Sequence, residues 1–164
     1  MQRPLTEEEA DDVVYFARSG DLEEFSAFLT SLATELSVPS STIVQEAKDP
    51  YSGSTALHMA CANGHVEIVN YLLSLVDSFT PAAIAFVNMQ NESGNTALHW
   101  ACLNGLQEIV TRLCDAGADP FIKNSAGQDS IFQAENNEKL DVVDYMLERY
   151  SDAFEGELID ESGE

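Results

Sequence analysis

Basic residues are scarce in this chain. Seven lysines and arginines stand against 29 aspartates and glutamates in 164 residues, a formal net charge of −22. A surface this negative repels nucleic-acid phosphates and anionic lipids and attracts basic partners, so direct DNA or RNA binding is not expected. Long apolar runs are missing too. None approaches the roughly 20 residues of a membrane span, and the opening MQRPLTEEEADD has no apolar h-region of a signal peptide. Cysteine is sparse and odd in number (Cys61, Cys102, Cys114), which reads as reduced thiols and a cytoplasmic and nuclear location. No glycine-rich phosphate loop and no serine in a nucleophile-elbow context occurs. The acid pairs Glu7-Glu8-Glu9, Asp11-Asp12 and Glu23-Glu24 read as solvated helix faces. Neither an enzyme nor a cofactor is therefore expected. What remains is 45% hydrophobic residues, enough for the core of one domain.

Those residues are organised as repeats. GSTALHMACANGHVEIVNYLL begins at Gly53, and GNTALHWACLNGLQEIVTRLC begins 41 positions later at Gly94. A weaker copy, GQDSIFQAENNEKLDVVDYML, starts 33 positions further on at Gly127. A fourth lies upstream in DDVVYFARSGDLEEFSAFL, with Gly20 in register with Gly64. Self-similarity at this period signals stacked units that bury their faces against one another. The 41-residue step is 33 plus an insertion of 8, carried by LVDSFTPAAIAFVN.

Each copy reads as two short helices. Thr96 is placed to cap the first. Leu98, Ala101 and Cys102 fall at i, i+3, i+4 and form its buried stripe. Asn104-Gly105 closes it. Ile109, Val110 and Leu113 repeat the spacing in the second helix, and Ala116-Gly117-Ala118-Asp119-Pro120 turns the chain away.

The pairs His58/Cys61 and His99/Cys102 have ligand chemistry that zinc accepts. Zinc needs its donors within roughly 2.0–2.3 Å of one point, and these pairs lie in successive repeats, about a helix diameter apart. They are expected to be structural, with the cysteines as inert core thiols and no metal bound.

Two helices, a turn, and T-A-L-H-x-A-C-x-N-G at a 33-residue step resemble the ankyrin repeat. The resemblance implies an all-α solenoid of about four helix-turn-helix repeats, covering roughly 7–38, 51–87, 92–123 and 125–150 of a domain over 1–150. Residues 151–164, SDAFEGELIDESGE, form an acidic C-terminal tail. Ala56 and Ala97 replace the usual proline of the signature, Phe132 replaces its histidine, and the first copy lacks the TALH box. Weak outer repeats suit units that must show one face to water.

The resemblance also implies where a partner binds: on the protruding turns and the exposed side of the first helices. By register the turn positions are Asp49, Tyr51 and Ser52, then Gln90, Glu92 and Asn95, then Gln128. The helix positions are Met59 and Asn63, then Trp100, Leu103 and Asn104, then Glu135. Trp100 stands two positions, about 200°, from Leu98 on a helix. It either faces the groove beside Met59 and Tyr51 or fills a gap between repeats.

STALHMACANGHVEIV, FVNMQNESGNTALHWACLNG and above all ADPFIKNSAGQDSIFQAEN narrow the resemblance to fungal ankyrin proteins that act as dedicated chaperones of small-subunit ribosomal protein number three. That resemblance, over about Leu5 to Tyr150, implies capture of the newly made basic protein, maintenance of its solubility and delivery for ribosome assembly. It also implies a monomer that forms a heterodimer with its client, and an acidic tail that reaches further than Glu164 in family members. The competing expectation is a regulatory ankyrin module that inhibits an enzyme or a transcription factor through the same groove.

Overall fold

The computed structural model describes residues 3–154. Among the described residues ten α-helices follow one another and no strand occurs. Helices α1 (Glu7–Ser19) and α2 (Leu22–Leu36) form the first pair, followed by a short α3 (Ser40–Glu46). Then come α4 (Ala56–Ala62) with α5 (Val66–Ser74), the insertion helix α6 (Pro81–Val87), α7 (Ala97–Leu103) with α8 (Gln107–Asp115), and α9 (Ser130–Asn136) with α10 (Leu140–Arg149). The first helices α1, α4, α7 and α9 pack in series as one layer. The second helices back them, with α5 on α8 and α8 on α10.

Local chemistry starts the helices where the sequence places them. Thr55 and Thr96 are N-caps, each accepting from the backbone N–H three residues on and each completed into a capping box by His58 or His99. Thr6 with Glu9 does the same for α1, and Asp21 and Asp129 cap α2 and α9. The stripe Leu98, Ala101, Cys102 is buried, as are Ile109, Val110 and Leu113 behind it. Their counterparts Leu57, Ala60, Cys61 and Ile68, Val69, Leu72 are buried likewise and join one continuous core. Each large side chain so removed from water stabilises the stack by about 1.5–3 kcal/mol.

Two helices lie outside the repeat register. Helix α3 packs on α1 and α2 and buries Ile43 and Val44. Helix α6 occupies the insertion, capped by Thr80 with Pro81 at its first turn, and buries Ala83, Phe86 and Val87. Asn88 ties its end to the following repeat: Nδ2 donates to the Gly117 carbonyl at 3.1 Å and Oδ1 accepts from the Asp119 N–H at 2.7 Å. Gly117 has a φ of +96°, and a Cβ there would collide with Cδ1 of Ile84 on α6. The insertion is therefore folded onto the stack and does not loop out.

The two ends of the stack are closed differently. At the start, the Arg3 guanidinium bridges Glu9 and Glu35. At the far end, Phe121 meets Tyr150 and Phe154 edge-on, with centroids 5.9 and 5.7 Å apart, and Arg149 pairs with Asp115 at 2.8 Å. Of the segment expected to be an acidic tail, residues 151–154 add a helical turn whose Phe154 packs on the core. Residues 155–164 lie outside the described residues.

Candidate protein-interaction groove

Three turns project from the stack, each built around a side-chain oxygen at its first position. Asp49 Oδ1 accepts from the N–H groups of Tyr51 and Ser52 at 3.0 and 2.7 Å. Asn91 Oδ1 accepts from Ser93 and Asn95, and Asn124 Oδ1 from Ala126 and Gln128. The turns are joined edge to edge by backbone bonds, Glu92 N–H to the Ser52 carbonyl at 2.8 Å and Ser125 N–H to the Ser93 carbonyl at 3.0 Å. Gly94, with φ +77°, makes the second contact possible: a Cβ there would lie 2.8 Å from the Ser125 nitrogen and 2.9 Å from the Asn124 Cα.

The histidines lock each turn to the repeat before it. His58 Nδ1 accepts from the Thr55 N–H at 3.1 Å, and its Nε2–H reaches the Asn95 carbonyl at 2.8 Å. His99 repeats the pattern with Thr96 at 3.0 Å and the Gln128 carbonyl at 2.9 Å. Burial pushes both imidazoles below their ordinary pKa, so each is a neutral ring with Nδ1 accepting and Nε2 donating. Both ring nitrogens are engaged, and burial raises the thiols of Cys61 and Cys102 well above the ordinary range. Among the described residues no group of three or more His, Cys, Asp or Glu is placed to hold a metal.

The residues singled out from sequence divide into three sets. Asp49, Ser52, Gln90, Asn95, Asn104 and Gln128 spend polar groups inside the stack. Gln90 Nε2 donates to the carbonyls of Gly94 and Lys123, and Asn104 Nδ2 to that of Ala62 in the preceding repeat. Asn63 likewise donates to the Met59 carbonyl within its own helix. Burial raises the Asp49 carboxyl, but the bonds from Ser52 and Tyr51 outweigh it and hold the pKa below the ordinary value.

The second set is free to meet a partner. Tyr51 is 88% exposed at the first tip, and Glu92 is exposed at the second. Met59, Trp100 and Leu103 are half-buried along the first helices. Met59 and Trp100 share one register position, which Tyr15 occupies in α1 and Gln133 in α9. Tyr15 is 60% exposed, and Arg18 beside it places Nη2 3.6 Å from the Met59 sulfur. The sequence list omitted both, although the Gly20–Gly64 register pointed to them. Trp100 meets the groove expectation: it is half-buried and lines a pocket of about 220 Å³ with Asn95, His99, Leu103, Asn124, Gln128 and Gln133.

Glu135 stands alone. It shares register with Cys61 and Cys102, which are fully buried. Its carboxylate is exposed because no further repeat among the described residues covers it. Phe132, in register with His58 and His99, is 39% exposed beside it.

The family profile for ankyrin repeats in three copies matches residues 14–124 and 83–157. The chain belongs to the ankyrin-repeat family. Among ankyrin proteins it is 48% identical over 150 residues to the ankyrin repeat-containing protein YAR1 of Saccharomyces cerevisiae, covering 90% of this chain and 72% of that one. It is 35% identical over 140 residues to the ankyrin repeat-containing protein P16F5.05c of Schizosaccharomyces pombe, covering 85% of each. Its ankyrin stack matches a chain in the crystal structure of the yeast ribosomal protein Rps3 in complex with its chaperone Yar1, with a TM-score of 0.83 and 44% identity. That match covers 90% of this chain and 97% of the other.

Proposed function

We propose that this chain is a dedicated chaperone of a small-subunit ribosomal protein of the Rps3 kind. It captures the newly made protein, keeps it soluble and delivers it for ribosome assembly. The observation that carries the reading is the match to the chaperone of Rps3 at 44% identity over nearly the whole of that chain. The net charge of −22 supports it, because a strongly negative stack offers complementary potential and fast capture to a basic client. A bound client is withdrawn from aggregation, and ribosomal RNA phosphates compete for the same basic surface at delivery. The chain works as a binding scaffold without catalysis, as a monomer in a one-to-one complex, in the cytoplasm and the nucleus.

The test is to mix the purified chain with Rps3 and follow Rps3 turbidity in low-salt buffer, with size-exclusion chromatography of the mixture. Suppression of turbidity at about one equivalent and a co-eluting complex are expected. Failure to co-elute, with Rps3 precipitating at its unassisted rate, would overturn the reading.

A further inference from the structure

The pocket around Trp100 is built to take a particular kind of side chain. Its wall combines the apolar Trp100 and Leu103 with amides from two repeats. Most of those amide groups are already used. Asn95 Oδ1 accepts from Asn124 Nδ2, Asn124 Oδ1 caps its own turn, and Gln128 Oε1 accepts from Gln133 Nε2. Among the acceptors of this wall the one left over is Gln133 Oε1: the residue is 9% exposed, its Nε2 donates to Gln128 at 2.9 Å, and its Oε1 makes no hydrogen bond among the described residues, as is also true of the donors Asn95 Nδ2 and Gln128 Nε2. A solvent-accessible, unpartnered acceptor thus belongs to the lining of a pocket with an indole on its wall.

From this we infer that the Trp100 pocket binds an arginine side chain of the client, the guanidinium stacking on the indole and donating to Gln133 Oε1. The inference rests on the client being basic, as proposed above. Two observations and the chemistry of the two cationic side chains select arginine. The net charge of −22 disfavours an anionic occupant. His99 on the pocket wall is neutral, so it offers a cation no repulsion, and Asp129 lies close enough to act on its charge. A planar, weakly hydrated guanidinium stacks on an aromatic face and donates laterally, whereas an ammonium is a compact and strongly hydrated charge that one acceptor does not desolvate well. The Trp100 indole N–H has no partner among the described residues and remains available for a client carbonyl.

Trp100 is the one tryptophan of the chain, so its indole N–H gives a single NMR resonance that reports on this pocket. The full chain is titrated at fixed ionic strength with argininamide, with lysinamide and with purified Rps3. Argininamide is expected to move the resonance saturably, lysinamide to leave it near its starting position, and Rps3 to shift it. Trp100→Leu is expected to weaken Rps3 binding about 30-fold, and Trp100→Phe by less, with unchanged circular dichroism melts. An equal shift from lysinamide overturns the guanidinium assignment. Rps3 binding that leaves the resonance in place overturns the pocket while the chaperone reading stands. If Rps3 does not bind at all, the chaperone reading falls and the client assignment of the pocket falls with it.

Discussion

The imidazole of His58 donates from Nε2 to the carbonyl of Asn95 at 2.8 Å, across the boundary between two repeats. The bond is partly buried, and it joins a helix N-terminus to the next repeat's turn. His99 and Gln128 are joined in the same way.

Removing this bond leaves the partly buried Gln128 carbonyl and the buried Thr96 N–H unsatisfied. His99→Ala is expected to destabilise the chain by about 2 kcal/mol, read as a lower urea midpoint. Phe132→His, at the register position that faces no following turn, is expected to leave the midpoint nearly unchanged. Equal effects from the two would show that the inter-repeat bond contributes nothing.

The same histidines set a pH dependence. Their pKa values are lower in the fold than the ordinary 6.5 because burial disfavours the charged ring. The unfolded chain therefore binds more protons below about pH 6.5, and stability falls as the pH drops through that value toward the folded pKa. Lower pH also relieves carboxylate repulsion, which works in the opposite direction. The histidine contribution is isolated by comparing urea midpoints at pH 8 and 5.5 for the parent and for His99→Gln. The parent is expected to lose more stability, or gain less, than the variant. Parallel pH profiles would refute this.

Gly94 and Gly127 separate two costs of replacing a turn glycine. Both have positive φ, but a Cβ at Gly127 meets nothing within 4 Å, whereas one at Gly94 runs into backbone of the next turn. Gly94→Ala is expected to cost on the order of 2 kcal/mol and Gly127→Ala about 1 kcal/mol. Thermal melts of the two variants decide it, and an equal loss would mean that turn-to-turn contact is not tight in solution.

Salt is expected to act in opposite directions on folding and on client capture. Screening the self-repulsion of a −22 chain raises its melting temperature, while the attraction to Rps3 is weakened at separations beyond the Debye length of about 8–10 Å. Glu92→Lys at the exposed turn tip is expected to slow association more than Glu67→Lys or Glu108→Lys on the exposed second-helix side. Asp49 is unsuited to this comparison because its carboxylate holds its own turn together. Stopped-flow association rates over a salt series provide the measurement. A salt-independent rate, or a larger effect from the second-helix side, places capture elsewhere on the stack.

The repeat architecture was legible because it is written in local chemistry. Thr96, Leu98, Ala101 and Cys102 announce a capped helix and its buried face within seven residues, and the observed α7 uses them so. The structural role of His58 and His99 was legible from the spacing of the repeats. Helices α3 and α6 were not, since both stand outside the repeat register, α3 resting on α1 and α2 and α6 being tied through Asn88 to the distant Gly117 and Asp119. The occupied amides of Asn95 and Gln128 were also hidden. Register shows which residues are equivalent, but not which polar atoms a neighbouring repeat has already claimed. For Glu135 register alone would point inward, because its register partners are buried cysteines, yet it is exposed among the described residues.

That exposure bears on how copies of the molecule meet one another. When copies of a repeat stack meet head to tail, the contact is heterologous and grows into an open filament. Here the joining surface presents the Glu135 carboxylate where an interior repeat has a thiol. The first repeat exposes Asp11, Asp12, Glu23 and Glu24. End-to-end association of the described stack would have to bury like charges against each other, so the residue that breaks the repeat pattern works against such self-association.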